Sequence, residues 1–333
     1  MLPITYAGPQ PIDPFLLLLA ALALEALIGE PPLVFRILPH PVKLLGAIIG
    51  WIEKKLNRPQ RSQMDRAFRG LLLLLVMLGL AGLASWGVVE VKRAFRYGWV
   101  LELLLAWTLL AQRGLFDAVE AVGRALRDQG LSAGRVAVGR IVGRDVERLD
   151  EHGVARAAIE SCAENFSDAV VAPVFWYVLL GFPGLLAYKT VNTLDSMVGH
   201  KSERYKAFGV TSARLDDLAN LIPARLSGLL LSLAALFVPT ANPWRAFKVM
   251  LRDSHKHRSP NAGWPEAAMA GALARALSGP RVYAEGPTPE PWLGEEFSAR
   301  ATAQDVKRAL YMLGVACLLN GGVVAGLYAL KTL

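Results

Sequence analysis

The sequence predicts an all-α, polytopic integral membrane protein, and three observations carry that expectation. Fifty-three per cent of the 333 residues are hydrophobic, above the roughly 45–50% usual in a soluble domain. The excess is gathered into long uncharged runs, with a mean hydropathy of +0.35. No alternating pattern is long enough to build a sheet. Apolar residues in the polar stretches instead recur at three and four positions, as in Leu115, Val119, Val122 and Leu126, which is the helical period.

The elements follow in order. Phe15–Gly29 is apolar but interrupted by Glu25. Leu71–Val89 is uncharged, and Gly98–Ala111 is broken only by Glu102. Ala169–Tyr188, Leu226–Trp244 and Ala309–Leu330 are uncharged. Each uncharged run approaches the ~20 residues that cross the hydrocarbon core as a helix, and about five transmembrane helices are expected in all. Asp13-Pro14 precedes the first run where a signal peptide would carry Lys or Arg, so the N-terminus does not read as a cleaved leader. Cys162 and Cys317 stand far apart and read as unpaired thiols.

The net charge is +8, but the cations gather beside apolar runs, which argues against nucleic acid as a partner. Between Glu53 and Arg69 six basic residues face two acidic ones, the mark of a cytoplasmic loop. With that loop inside, Leu71–Val89 leads out and Gly98–Ala111 returns, so 112–168 is cytoplasmic. Polar segments of about 112–168, 189–225 and 245–308 then decorate a single membrane-embedded domain, 1–333, on a cell-membrane face. The run "GPTPEPWLGEE" reads as a surface loop. Within Ala169–Tyr188, Pro173 and Gly181-Phe182-Pro183-Gly184 interrupt a helix. Two readings stay open there, a kinked span and a re-entrant hairpin that puts 112–168 and 189–225 on one face.

Chemistry-bearing residues cluster beside these runs. Glu160, Glu164 and Asp168 recur every four residues, one acidic helical stripe whose repulsion a divalent cation would relieve. Asn165 accompanies them. "NTLDSMVGHKSERY" gathers Asn192, Asp195, His200, Lys201 and Arg204. "ARLDDLANLIPAR" places Asp216, Asp217 and Asn220 on one side of a helix between Arg214 and Arg225. Acids and an amide suit Mg²⁺, whereas arginines suit phosphate. In the third polar segment His255, Lys256, His257 and Arg258 precede Ser259-Pro260-Asn261 and a helix start, an arrangement fit to cradle an anion. Glu30, His40 and Lys43 end the first apolar run, with His40 held between prolines. The chain lacks a P-loop: Gly134 to Gly139-Arg140 misses both the Lys and the Ser/Thr.

Five segments, "GEPP…PHPVKLLG", "AAIESCAENFSDAVVAPVFWY", "YKTVNTLDSMVGHKSERYKAFG", "ARLDDLANLIPARL" and "SPNAGWPEAAMAGAL", resemble in order the motifs of the adenosylcobinamide-phosphate synthase family. The likeness runs from about residue 13 to 325. Glu30 stands where that family usually has Asp, and His200 where an aromatic is commoner. The resemblance implies an ATP- and Mg²⁺-dependent amide ligase of cobalamin biosynthesis. It would join adenosylcobyric acid to (R)-1-amino-2-propanol or its O-phosphate, with an ethanolamine-type amine left open. It further implies a corrinoid and membrane lipid as partners, with room for contacts to other enzymes of the pathway, and an active site on the cytoplasmic side.

On that resemblance Glu164, Asn165, Asp168, Asn192, Asp195, Asp216 and Asp217 are the catalytic candidates. Asp216, Asp217, Asn220 and Glu164 are the candidate Mg²⁺ ligands. His40, Lys201, Arg204, Arg225, His257, Arg258, Ser259 and Asn261 are assigned to substrate and phosphate. Two other classes compete. A transporter also combines broken helices with polar residues, but here the charges lie mainly in long loops. A non-catalytic sensor of the same superfamily would be expected to have lost the Asp-Asp and Ser-Pro-Asn clusters, which are intact.

Overall fold

The computed structural model describes residues 12–30, 35, 39–283, 286–288 and 290–333; Pro31, Pro32 and Pro289 of the motifs above lie outside them. In chain order the helices are α1 (Pro14–Ile28), α2 (Pro41–Leu56), α3 (Gln63–Ala94), α4 (Trp99–Leu109), α5 (Gln112–Gln129), α6 (Leu131–Val138), α7 (Glu151–Asn165), α8 (Ala172–Val198), α9 (Val210–Ala219), α10 (Leu221–Ala234), α11 (Pro243–Asp253), α12 (Gly263–Leu273) and α13 (Ala303–Thr332). A π-helical turn, Phe166–Val171, joins α7 to α8. The described strands are short antiparallel pairs, β1 (Leu277–Ser278) with β4 (Trp292–Leu293) and β2 (Arg281–Tyr283) with β3 (Gly286–Thr288). The protein is an all-α polytopic membrane protein.

Helix starts follow the sequence chemistry. Asp13 accepts from Phe15 N–H at 2.8 Å ahead of Pro14, Ser62 from Asp65 N–H at 3.2 Å, and Asp150 from Gly153 N–H at 2.6 Å. Each side-chain oxygen satisfies a donor that the first helical turn leaves without a partner.

Among the described residues four stretches are long and apolar enough to cross a membrane: Gln63–Ala94, Trp99–Gln129, Glu151–Val198 and Ala303–Thr332. Two apolar helices are shorter, Pro14–Ile28 and Leu221–Ala234. The run Leu226–Trp244 is therefore not one span. Its helix ends at Ala234, Thr240 takes a positive φ of 68°, and Asn242-Pro243 begins α11.

By packing, the chain groups into two compact units. The first comprises Met1–Ala111, Ala172–Ala219 and Val324–Leu333, the second Gln112–Val171 and Asn220–Val323. In the first unit Phe15, Leu18 and Leu22 of α1 share a core with Ala106 and Leu109 of α4 and with Tyr177, Phe182 and Leu185 of α8. A second core joins Ile49, Leu73, Met77, Leu194 and Phe208.

Gly181 marks the interruption expected in the Ala169–Tyr188 run. Its φ of 66° and ψ of −156° break α8, a conformation that glycine reaches without steric cost. A Cβ on Gly184 would collide with the Trp176 carbonyl oxygen. Residues eight apart on a straight helix are about 12 Å apart along the axis, so α8 bends sharply at Gly181.

Two buried polar clusters also belong to the first unit. The Lys92 ammonium pairs with the Glu102 carboxylate, both almost wholly buried, and Tyr177 donates its hydroxyl to Glu102 at 2.6 Å. Buried Glu53 receives the Arg204 guanidinium at 3.0 and 2.9 Å and Asn57 Nδ2 at 2.9 Å. Arg66 donates to Asn57 Oδ1 and to the Arg204 carbonyl. This knot fixes the segment after α8 against α2 and α3.

The second unit is built on small residues. Ala155, Ala157 and Ala158 of α7 and Ala267, Ala268, Ala270 and Ala272 of α12 are fully buried with Val249, Met250, Leu277 and Met312. Asp253 ends α11 with no exposed side chain. It pairs with Arg252 and Lys256 and accepts from the Gly294 N–H at 2.8 Å.

Candidate active site

The candidate residues fall into two groups, one in each unit. In the first unit the end of α8 packs against α9. Asn192 Nδ2 lies 3.4 Å from Asp216 Oδ1, and the Asp195 carboxylate feels the charges of Asp217 and His200. Asp216 is buried. Burial pushes the Asp217 carboxyl above its ordinary value, while Arg214 and Lys201 pull it back. Two motifs more than twenty residues apart in the chain thus form one acid–amide group edged by cations.

His40 caps α2, with its Nδ1 accepting from Val42 N–H at 3.2 Å. The ring proton therefore sits on Nε2, 3.7 Å from Glu30 Oε1. Burial pulls the His40 pKa below its ordinary value; Glu30 opposes this, and Lys43 and Lys189 reinforce it. The imidazole is neutral at neutral pH. Lys189, buried on α8, lies outside the residues that the sequence singles out. Its signal is a lone cation directly after an apolar run. Arg204 is gripped by Glu53, and Lys201 is exposed.

In the second unit the expected acidic stripe does not form as a unit. Glu160 is buried against Arg144 at 3.0 Å and accepts from Ser278 N–H at 2.8 Å, whereas Glu164 is exposed. Asp168 lies in the π-helical turn, which removes it from the α-helical repeat; such turns recur at functional sites. Asn165 donates to the Ser161 carbonyl at 2.9 Å. Asn220, buried, is the first residue of this unit's second segment.

Arg225 donates to Asn261 Oδ1 at 3.3 Å and lies 4.6 Å from the Trp264 ring. His257 Nδ1 accepts from Ser259 N–H at 3.0 Å, and its Nε2 faces buried Glu266 at 3.7 Å. Ser259 Oγ accepts from the Asn261 and Ala262 N–H groups, so it caps the approach to α12. The basic run ahead of α12 is matched by acids: Lys256 meets Asp253 at 2.9 Å and Arg258 meets Glu290 at 3.5 Å.

Among the described residues no three His, Cys, Asp or Glu side chains converge as a metal cage. Mg²⁺ is commonly held by one or two carboxylates, with substrate phosphates and water completing its shell. The Asp216 and Asp217 carboxylates fit that partial role, with the Asp195 carboxylate near enough to feel the charge of Asp217.

The family model for CobD/CbiB proteins matches residues 18–313. The cobalamin biosynthesis protein CobD of Sinorhizobium sp is 48% identical over 314 residues, covering 93% of this chain and 96% of the relative. That of Brucella anthropi is 46% identical over 93% of this chain and 96% of its own length. One from Rhodobacter capsulatus is 46% identical over 90% and 91%. No solved structure matches. With the family model spanning most of the chain and relatives this close along nearly their whole length, the protein belongs to the CobD/CbiB family of cobalamin biosynthesis proteins.

Proposed function

We propose that the protein is an ATP- and Mg²⁺-dependent ligase. It would join a carboxylate of adenosylcobyric acid to the amine of (R)-1-amino-2-propanol or its O-phosphate, giving adenosylcobinamide or its phosphate. The observation that carries this reading is the acid–amide group of Asn192, Asp195, Asp216 and Asp217 beside Lys201 and Arg214, in a chain of this family.

A carboxylate is a poor electrophile, so its oxygen first takes the γ-phosphoryl group of ATP and ADP leaves. The ammonium group loses a proton, the free amine attacks the carbonyl carbon to form the C–N bond, and a second proton leaves the nitrogen as the C–O bond breaks and phosphate departs. Bound Mg²⁺ would neutralise the polyphosphate. Asp216 and Asp217 would hold it, with Asn192 fixing Asp216 and the Asp195 charge close by. Cations aimed where charge develops stabilise the transition state, a role assigned to Lys201 and Arg214. Neutral His40, between Lys43 and Lys189, is suited to donate its Nε2–H to a substrate oxygen. Within the second unit, Glu164, Asp168, Asn220, Arg225 and the Ser259–Asn261 turn are kept as candidate substrate contacts in their own right.

Mass spectrometry of purified protein with adenosylcobyric acid, ATP, Mg²⁺ and each candidate amine tests the reading. The expected product has the mass of the amide, and neither EDTA-treated nor nucleotide-free samples should yield it. Undiminished product in either control would refute the proposal.

The site is also proposed to face the cytoplasm, from the basic loop 54–69. In a cysteine-free background, Arg61→Cys, Lys201→Cys and Arg258→Cys should resist impermeant thiol reagents in intact cells and label after lysis. Labelling of all three from outside would reverse the orientation.

A further inference from the structure

Within the first unit, α2 carries apolar residues on two faces. Leu45, Ile49, Ile52 and Leu56 turn inward and pack with Leu73, Met77 and Leu194. Leu44, Ala47 and Trp51, spaced at three and four residues, are exposed, Leu44 by 50% and Trp51 by 60%. Exposed Lys54, Lys55 and Arg58 continue that stripe past the end of the helix. None of these six outward residues has a part in the reaction proposed above.

The nearby acids are taken by other cations. Arg61 and Arg69 lean on Asp65 at 3.5 and 3.1 Å, and Glu53 holds Arg204 at 2.9 Å. Among the described residues no carboxylate pairs with Lys54, Lys55 or Arg58. The Lys55 ammonium instead stands 3.7 Å from the centre of the Trp51 ring, a contact that joins cation and aromatic into one surface.

The uncharged run Leu44–Ile52 rises about 14 Å along the helix axis, close to half of the ~30 Å hydrocarbon core. It is too short to cross the membrane and long enough to line one leaflet. Tryptophan favours headgroup depth, and lysine and arginine reach the phosphates while their stems stay on apolar surface. Basic clusters beside a membrane segment attract anionic lipid, and the apolar helix α3 begins five residues after Arg58. A soluble anion would use the cations but leave the Leu44–Trp51 stripe bare, whereas an acyl chain covers it. We propose that the outward face of α2 and the turn after it bind an anionic phospholipid. Its phosphate rests on Lys54, Lys55 and Arg58, and its chain runs along Trp51, Ala47 and Leu44. This site is independent of the ligase reading.

Delipidated full-length protein in detergent is titrated with dioleoylphosphatidylglycerol or dioleoylphosphatidylcholine, and bound lipid is counted by native mass spectrometry. The anionic lipid should bind at least ~5-fold more tightly, the scale of one cation at a charged membrane surface. Lys54→Gln, Lys55→Gln and Arg58→Gln combined should abolish that preference and keep the thermal midpoint, since exposed charges contribute little to stability. Arg124→Gln, Arg127→Gln and Arg140→Gln combined remove the same charge from exposed positions of the second unit and should bind as the parent does. Equal affinity for the two lipids, an unchanged α2 variant, or the same loss in the second-unit variant would each overturn the proposal. So would displacement of the lipid by glycerol phosphate, which would give the cations to a soluble anion. A dimer that Trp51→Ala dissolves and lipid does not would assign the face to a second copy and overturn it as well.

Discussion

Asp216→Asn and Asp217→Asn should each lower amide formation at least ~100-fold while leaving the protein folded and inserted. Asn keeps the size and the hydrogen-bonding edge but removes the charge. Loss of a preorganised electrostatic contact in a transition state costs on the order of 10²–10³ in rate. The two positions differ in a way that the kinetics should display. Asp216 is buried and contacted by Asn192 at 3.4 Å. Asp217 is part-exposed, with Lys201 and Arg214 in reach. Raised Mg²⁺ should therefore rescue part of the Asp217→Asn loss more readily than the Asp216→Asn loss. If the pair instead merely steadies α9, each variant should lose only ~1 kcal/mol of stability and retain its turnover. Near-parental rates in both would remove the pair from the reaction and move attention to Glu164 and Asp168.

The second large effect is expected at Lys92 and Glu102. Both side chains are almost wholly buried, and Glu102 also accepts from Tyr177 at 2.6 Å. Removing one partner leaves a buried charge without its counter-charge, at a cost of roughly 3–5 kcal/mol, whereas replacing both by apolar groups is often close to neutral. Lys92→Met and Glu102→Met should each lower the thermal midpoint sharply in detergent and reduce the yield of folded protein. The double variant with Tyr177→Phe should recover most of the loss. A triple variant as unstable as the worse single one would show that the ion pair itself is not the source of the stability.

Much of this architecture is legible from residue order, and the exceptions have physical causes. The helices follow from period and capping, as at Asp13-Pro14 and Ser62. The Gly181 break follows from Gly and Pro in an apolar run, although only the approach of Gly184 to Trp176 shows how sharp it is. The acid–amide motifs of α8 and α9 can be seen separately, but their juxtaposition depends on packing that no local pattern encodes. Glu160 illustrates the opposite error. Its spacing to Glu164 and Asp168 suggests a shared face, yet its partner Arg144 arrives from a loop sixteen residues upstream. Arg144, Arg148 and Arg156 escape notice for a related reason. In sequence they look like solvated charges among Asp145, Glu147 and Asp150, and only the turn into α7 closes them around a cavity.

The alternation of segments between the two units bears on how the protein is made. The first unit recruits Val324–Leu333, where Val324 enters the core of α1, α4 and α8 and Lys331 pairs with Asp13 across 318 residues of chain. The ribosome therefore delivers α1 long before the segment that covers it, and the second unit is translated in two instalments between them. A nascent chain in the membrane must hold an unfinished apolar surface through most of its synthesis. A truncation that removes Val324–Leu333 would thus uncover a helix translated far earlier, and cellular quality control would encounter the defect at a distance in sequence from the lesion.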